Sequence, residues 1–149
     1  MTIEDYAGDR GRLRPLFELA EDSQRALDAY IGAGRVLVAR DGDDPIGHLQ
    51  LVDAEIKNMA VLDSHRRRGV GAALVRAAIE LARADGRSAL VVATAAADVG
   101  NLRFYQRLGF RMRSVERDAF TPETGYPEPI EIDGIPLRDR VWLDLSIEQ

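Results

Sequence analysis

A short basic turn with two glycines, Arg66 to Ala72, carries residue types that bind anions. The residues before it, Ile56 to Leu62, are typical of a strand, and those after it, Gly69 to Ala84, of an amphipathic helix. The first N–H groups of a helix have no partner inside the helix and lie at the positive end of its dipole. Glycine lets an anion approach the backbone, and arginine offers forked donors that suit phosphate. The turn therefore predicts a site for the diphosphate of a nucleotide-like cofactor.

Two other phosphate-binding motifs do not fit this turn. The P-loop ends in Gly-Lys-Ser/Thr, but the only lysine of the chain is Lys57, which lies in the predicted strand. The dinucleotide-binding fingerprint needs a third glycine at the position where this chain has Leu74. The pattern that remains is Arg-x-x-Gly-x-Gly followed by alanine, formed by Arg66, Arg67, Arg68, Gly69, Val70, Gly71 and Ala72.

A second segment, Asn101 to Phe110, reads Asn-Leu-Arg-Phe-Tyr-Gln-Arg-Leu-Gly-Phe. It predicts a short helix over residues 101–108 that contains Phe-Tyr, followed by Gly-Phe at the entry to a strand. Together with the basic turn, in this order and spacing, the segment resembles the Gcn5-related N-acetyltransferase (GNAT) superfamily. The resemblance extends over nearly the whole chain and is weakest before Arg35 and across Thr121 to Pro136.

The resemblance implies a fold, a cofactor and a reaction. The fold is α/β, a mixed and mostly antiparallel sheet with helices on both faces, in a single domain over residues 1–149. The cofactor is acetyl-CoA, whose diphosphate is held by the amides of the turn and whose acetyl group passes directly to a primary amine in a ternary complex. In this family the pantetheine arm pairs with the strand before the turn, here Met59, Ala60 and Val61. An N–H of Ala60 or Val61 then polarises the thioester carbonyl.

Tyr105 resembles the general acid of the family, which protonates the leaving thiolate. An unperturbed phenol has a pKa near ~10, so it carries its proton at neutral pH. The alternative is a structural aromatic residue whose hydroxyl binds a backbone group. Asn101 lies at the start of the short helix, and it either caps that helix or contacts the cofactor, as the family's asparagine often does.

Glu55 is the candidate base, because its spacing from the turn matches that of the catalytic glutamate in the histone-acetyltransferase branch of the family. Strand alternation predicts that Glu55, Met59 and Val61 share one face. The other interpretation is an exposed carboxylate at the start of a strand, with waters that deprotonate the amine. Asp118 and Glu123 are weaker candidates for the base.

The acceptor side offers one hint, since the segment from Asp118 to Leu137 has five acidic residues and neither Arg nor Lys. In the family this segment borders the acceptor, so an acidic rim would attract a cationic amine. A solvated loop is the other interpretation. Phe120 and Tyr126 either line the acceptor pocket or pack on the core, and Trp142 is predicted to lie in the core. The acidic residues are Asp118, Glu123, Glu128, Glu131 and Asp133.

Composition limits the remaining functions. The 149 residues include no Cys and only two histidines, which argues against disulfides, thiolate chemistry and a His-built metal site. We expect His48 to be packed or hydrogen-bonded and His65 to lie in a surface turn. A net charge of −5 argues against a nucleic-acid partner. Without a signal-like N-terminus or a long apolar run, we expect no membrane partner and a cytoplasmic location. The excess of arginine and alanine is typical of high-GC bacterial coding.

Hydrophobic periodicity and turn residues predict the other elements. Strands are expected over residues 2–7, 35–40, 46–52, 55–62, 88–95, 110–115 and 141–147, and helices over 10–22, 23–31 and 69–84. The unit from Ile56 to Ala95 predicts a strand-helix-strand crossover between parallel neighbours. A proline-rich loop is expected from Thr121 to Pro136.

Two other functions fit the same motifs. One is a transferase that uses a longer acyl-CoA, and the other is a non-catalytic module that binds acyl-CoA. The acceptor is either a small-molecule amine or a peptide amine. Members of the family often pair through their C-terminal strands, so the resemblance allows a homodimer, although the sequence itself leaves the oligomeric state open.

Overall fold

A computed structural model describes residues 1–148. The strands are Thr2–Asp5 (β1), Arg35–Asp41 (β2), Asp44–Val52 (β3), Glu55–Val61 (β4), Ala89–Ala95 (β5), Arg111–Glu116 (β6), Glu131–Ile132 (β7), Ile135–Pro136 (β8) and Arg140–Ser146 (β9). The helices are Arg14–Ala20 (α1), Gln24–Tyr30 (α2), Val70–Ala84 (α3) and Val99–Arg107 (α4). Seven strands form one sheet in the order β1-β2-β3-β4-β5-β9-β6. Among these strands, all within residues 1–148, only β4 and β5 pair in parallel, which confirms the predicted mixed, mostly antiparallel sheet and its strand-helix-strand crossover.

Helices cover both faces of the sheet, because the central strands direct apolar side chains to both sides. Val36 and Val38 of β2 belong to the apolar cluster that α1 and α2 bury. Leu37 and Ala39, which alternate with them, belong to the cluster beneath α3. The prediction of helices on both faces is therefore confirmed. Within residues 1–148, no helix is both long and apolar enough to cross a bilayer.

Three predicted segments differ locally from the structure. The helix expected from residue 10 begins as a 3-10 turn, Arg10–Leu13, and becomes α-helical only at α1. Helix α4 begins at Val99, because the Asp98 carboxylate accepts a hydrogen bond from the Asn101 N–H and caps the helix. The interpretation of Asn101 as the cap is therefore wrong. The proline-rich loop contains a 3-10 turn, Pro122–Thr124, and the small hairpin of β7 and β8.

Strand β4 contains a bulge at Lys57. Gln50 of β3 pairs with Asn58, but the next residue along β3, Leu51, pairs with Ile56. Lys57 is therefore the extra residue of the pair, which the sequence pattern did not predict. An inserted residue reverses the alternation of side chains on the far side of the bulge.

The bulge moves Glu55 to the other face of the sheet. Glu55 pairs with Val52 and shares the face of Asn58, which α1 and α2 cover. Met59 and Val61 instead pack against the apolar cluster beneath α3. The prediction that Glu55, Met59 and Val61 share one face is therefore wrong.

Strands β4 and β5 pair at one end only. Glu55 pairs with Val91 and Ile56 pairs with Val92. Within residues 1–148 the two strands make no further pairs, although both continue beyond this point. A gap therefore opens between residues 57–61 of β4 and residues 93–95 of β5. We call this opening the β4–β5 gap, and it widens toward the basic turn.

Candidate active site

The free edge of β4 presents backbone groups to the β4–β5 gap. The Leu62 N–H donates to the Ile46 carbonyl of β3 at 2.8 Å. Hydrogen-bonding residues alternate along an antiparallel pair, so Ala60 directs its N–H to β3, whereas Met59 and Val61 direct theirs into the gap. Of the two donors suggested by the resemblance, Val61 thus faces the gap and Ala60 does not. An extended ligand can pair with this edge as an added strand.

The basic turn lies at the wide end of the gap. Arg66 Nε donates to the Val61 carbonyl at 3.4 Å and lies 3.0 Å from an Asp63 carboxylate oxygen. Arg67 and Gly69 have positive φ angles of 63° and 79°. Gly69 precedes α3, and no side chain caps that helix in the described chain. The first amides of α3 therefore stay directed at the turn, where an anion can accept from them.

Gly71 lets α3 and α4 approach each other closely. A Cβ atom at this position would lie 3.1 Å from Cζ and 3.3 Å from Cε1 of Phe104. These distances are tighter than ordinary van der Waals contacts, so the missing side chain makes room for the Phe104 ring. The two motifs of the sequence therefore meet in space at this contact.

Tyr105 is 5% exposed and lies between two other aromatic rings. Its ring centroid is 5.0 Å from that of Phe104 and 5.4 Å from that of Phe110. Burial raises the pKa of the Tyr105 hydroxyl well above its ordinary value, and the negative charge of Asp98 adds to the effect. The hydroxyl therefore keeps its proton across the neutral range and is suited to act as a proton donor.

Asn101 lies in the first turn of α4. Its Nδ2 group donates to Oγ1 of Thr94 on β5 at 3.3 Å. Thr94 borders the β4–β5 gap, so Asn101 holds α4 to the β5 side of this opening. The position is compatible with a cofactor contact.

Glu55 and Lys57 lie together on the face of β4 that α1 and α2 cover. The Glu55 side chain is 26% exposed, and its Oε2 atom lies 4.0 Å from the Lys57 ammonium nitrogen. That ammonium group also lies 4.9 Å from the centroid of the Tyr30 ring. A partly exposed carboxylate in this position can accept a proton or order waters that do so.

A chain of buried and partly buried polar residues lies on the same face, and sequence reasoning singled out only two of its members, His48 and Tyr126. His48 is fully buried and donates from Nε2 to Oδ1 of Asn58 at 2.7 Å. The Asn58 amide donates to the Tyr30 hydroxyl at 3.0 Å, which in turn donates to Glu21 at 3.0 Å. The Tyr126 hydroxyl donates to the second Glu21 oxygen at 2.5 Å. We call these residues the polar chain: His48, Asn58, Tyr30, Glu21 and Tyr126.

The polar chain connects β3, β4, α1, α2 and the loop before β9. One signal was available in the sequence, because His48 and Gln50 alternate on a strand that is otherwise apolar. The prediction of a packed, hydrogen-bonded His48 is confirmed. His65 lies in the 3-10 turn Asp63–His65 and contacts Asp41 at 3.2 Å, which confirms its position in a turn.

The aromatic residues near β9 lie in two different places: Trp142 packs beside the exposed strand β6, and Phe120 and Tyr126 pack against each other in the preceding loop. Trp142 is half-buried and donates from Nε1 to Glu116 at 3.1 Å. The prediction that it lies in the core is wrong, because the neighbouring strand β6 is exposed along its whole length. Phe120 and Tyr126 pack edge to face at 5.1 Å, and the Arg140 guanidinium lies 4.9 Å from the Phe120 centroid.

His48 predicts a pH dependence of stability. Burial lowers its pKa to about 4, and its Nδ1 atom has no partner within residues 1–148. In the unfolded state the pKa of His48 is ~6.5, so between that pH and ~4 the unfolded state binds more protons than the folded state. The free energy of unfolding is therefore highest above pH ~6.5 and falls as the pH is lowered to ~4. We expect the loss to total about 3 kcal/mol.

Urea unfolding of the native chain and of His48→Gln, followed from pH 7 to pH 4, measures this contribution. The carboxylates titrate in both proteins, so the difference between the two curves isolates His48. A constant difference across the range would contradict the prediction.

The comparisons with known proteins agree with this geometry. The model of the Acetyltransferase (GNAT) family matches residues 3–110. The N-acetyltransferase YvbK of Bacillus subtilis (strain 168) is 34% identical over 152 residues, and the alignment covers 97% of each protein. An IAA acetyltransferase from Bacillus cereus is similar in structure, with a TM-score of 0.86 and 32% identity over 97% of this chain and 98% of that one.

Two further solved structures contain a ligand. A GNAT family acetyltransferase from Elizabethkingia anophelis with acetyl-CoA bound has a TM-score of 0.89 and 30% identity. A Bacillus subtilis acetyltransferase in complex with CoA has a TM-score of 0.87 and 33% identity. Each match covers 97% of both chains.

The β4–β5 gap and the basic turn beside it, together with these relatives, show that the protein is an acyltransferase enzyme. The chain belongs to the acetyltransferase (GNAT) family.

Proposed function

We propose that residues 1–149 form a single acetyl-CoA-dependent N-acetyltransferase domain. The acetyl group passes directly to a primary amine while both substrates are bound in a ternary complex. The observation that carries this proposal is the β4–β5 gap, which runs from the free edge of β4 to the uncapped start of α3. The relatives that hold acetyl-CoA and CoA are at least 30% identical to this chain, which supports the same ligand here.

The residues around the gap suit acetyl-CoA. The strand edge at Met59 and Val61 matches the amide groups of a pantetheine arm, which pair as those of a strand do. The open amides at the start of α3 suit a diphosphate, because they are unpartnered donors at the positive end of a helix dipole. We assign the diphosphate to the turn formed by Arg66, Arg67, Arg68, Gly69, Val70, Gly71 and Ala72. Asn101, held against β5, contacts the arm from the other border of the gap.

Each catalytic residue has one task in this proposal. Acetyl-CoA supplies an activated acetyl thioester. The Val61 N–H, directed into the gap, stabilises negative charge on the carbonyl oxygen. Tyr105 holds a proton for the leaving sulfur, and because burial raises the pKa of the phenol, the hydroxyl stays protonated throughout the neutral range. Glu55, whose side chain is 26% exposed on the face of β4 that α1 and α2 cover, takes the proton of the amine, either directly or through waters.

The acceptor is a small-molecule or peptide amine in this proposal. The acidic segment from Asp118 to Leu137 has a net negative charge, so it favours a cationic group at its rim. A second candidate for the acyl donor is a longer acyl-CoA. A second candidate for the function is a non-catalytic module that binds acyl-CoA. A cytoplasmic location, a bacterial source and the absence of nucleic-acid and membrane partners stay predictions from the sequence.

Two measurements test the proposed function together. Acetyl-CoA at about 100 times its Kd is expected to raise the melting temperature by about 5 °C or more, since ligand binding at that excess stabilises by about 2.7 kcal/mol. An amine library is then screened for release of free CoA, with acetyl-CoA and longer acyl-CoAs as donors. An unchanged melting temperature would refute the cofactor. Binding without turnover of any amine would favour the non-catalytic module.

We also propose that two copies pair through β6. This strand is the edge of the sheet, and it exposes Met112 by 56% and Val115 by 63%. Within residues 1–148 the outer backbone edge of β6 has no neighbouring strand, so its N–H and carbonyl groups can pair with the same strand of a second copy. Sedimentation analysis of the native chain tests this association.

A further inference from the structure

Lys57 is the only lysine of the chain, and every other basic side chain except the two histidines is an arginine. It is the extra residue of the β4 bulge and follows Ile56, the last residue of β4 that pairs with β5 within residues 1–148. Lys57 therefore lies at the closed end of the β4–β5 gap. Its side chain is 36% exposed, so the amino group is open to a reactant.

The Lys57 ammonium group is held by two neighbours on the face of β4 that α1 and α2 cover. Oε2 of Glu55 lies 4.0 Å from Nζ, and the centroid of the Tyr30 ring lies 4.9 Å from it. The Tyr30 hydroxyl is itself fixed, because it accepts from Asn58 and donates to Glu21, each at 3.0 Å. The nitrogen therefore has a proton acceptor beside it and a position set by the fold.

The proposed position of acetyl-CoA directs its acyl end toward this nitrogen. With the diphosphate at the basic turn and the pantetheine arm along Met59 and Val61, the acyl end points toward the closed end of the gap. A nucleophile held beside its electrophile reacts far faster than one that must meet it by collision. Lysine can serve as this nucleophile once it has lost a proton, whereas arginine keeps its charge and cannot.

We infer that Lys57 is a self-acetylation site, so that the domain transfers the acetyl group to its own lysine when no acceptor amine is bound. This inference rests on the proposed N-acetyltransferase function. The ammonium gives one proton to Glu55, and the nitrogen lone pair forms a C–N bond to the acetyl carbon. The thioester C–S bond breaks, its electron pair leaves with sulfur, and Tyr105 supplies the proton that sulfur takes up. The second proton of the nitrogen restores the phenol through solvent, so the products are an amide, free CoA and one proton, with nothing oxidised or reduced.

Mass spectrometry of the native chain incubated with acetyl-CoA alone tests the inference. One acetyl group is expected at Lys57 by peptide mapping, and none at this position in Lys57→Arg. The matched control is Arg76→Lys, which adds an exposed lysine on α3, so that both sites are compared in one folded molecule. Lys57 is expected to react about 100-fold or more faster than the introduced lysine, which must meet acetyl-CoA by collision.

A second measurement follows Lys57 without acetyl-CoA. The N-hydroxysuccinimide ester of acetic acid acetylates free amines, and desulfo-CoA occupies the cofactor site without a thiol that would consume this reagent. Desulfo-CoA at about ten times its Kd is expected to slow the labelling of Lys57 about tenfold, since only about a tenth of the sites stay empty. In Arg76→Lys, labelling of the introduced lysine should proceed at the same rate with and without desulfo-CoA.

Fast acetylation of Lys57, together with its protection by desulfo-CoA, supports the inference even when no added amine is acetylated. Equal acetylation rates at Lys57 and at the introduced lysine, or labelling of Lys57 that desulfo-CoA does not slow, overturn it. The proposed function stands in that case if acetyl-CoA still raises the melting temperature and an added amine is acetylated. An unchanged melting temperature refutes the proposed function itself.

Discussion

The Tyr105→Phe enzyme is expected to bind acetyl-CoA as the native chain does and to acetylate amines about 100-fold or more slowly, the usual size of a general-acid contribution. Removal of the hydroxyl leaves the ring between Phe104 and Phe110, so the packing of α4 against α3 is retained. The lost function is the phenol proton, which the hydroxyl carries at neutral pH even at its ordinary pKa and which burial retains to higher pH. Steady-state kinetics at saturating acetyl-CoA, with the melting temperature as a check on folding, measure the effect.

The matched control for this variant is Tyr6→Phe. The Tyr6 hydroxyl donates to the Asp9 backbone at 2.7 Å, outside the β4–β5 gap, so its removal should leave kcat unchanged. Because burial raises the pKa of Tyr105, the native enzyme should also show no loss of kcat from this residue below about pH 10. A native rate in Tyr105→Phe would assign the proton to water or to another side chain.

The second large effect is on stability, in the variant Asn58→Leu. Asn58 is 4% exposed, accepts from His48, and donates to the Phe17 carbonyl at 3.2 Å as well as to Tyr30. Leucine has a similar volume but leaves buried polar partners without hydrogen bonds. Each such group costs about 1–3 kcal/mol, so the free energy of unfolding should fall by about 2–5 kcal/mol in urea titrations.

Asn101→Leu provides the same substitution at an exposed position. Asn101 makes one long side-chain hydrogen bond, to Thr94, so the change in the free energy of unfolding should stay below about 1 kcal/mol. Equal losses in the two variants would mean that the polar chain does not stabilise the fold beyond an ordinary surface contact.

Periodicity predicted strands β2, β3 and β5 of the large sheet well because each has a strong apolar pattern. The two motifs also predicted the family, since glycine, arginine and aromatic residues at fixed spacing reflect the contact of α3 with α4. Their direct contact, between Gly71 and Phe104, became visible only in three dimensions.

The bulge at Lys57 shows why part of the site was not predictable. Alternation is a local rule, but a bulge depends on how the partner strand accommodates an extra residue. One inserted residue therefore reversed the predicted side of Glu55. The polar chain was hidden for a related reason, because Glu21, Tyr30, Asn58 and Tyr126 are far apart in sequence and only the tertiary fold brings them together.

The single short pairing between β4 and β5 has a consequence for the order of folding. Strands β2, β3 and β4 pair with their sequence neighbours, so they can form from local contacts. The other half of the sheet needs β9 to insert between β5 and β6, which requires the closure of long loops. We therefore expect the β4–β5 gap to be the boundary between an early-forming and a late-forming half of the sheet, so that the binding site is completed only when the slower half has formed.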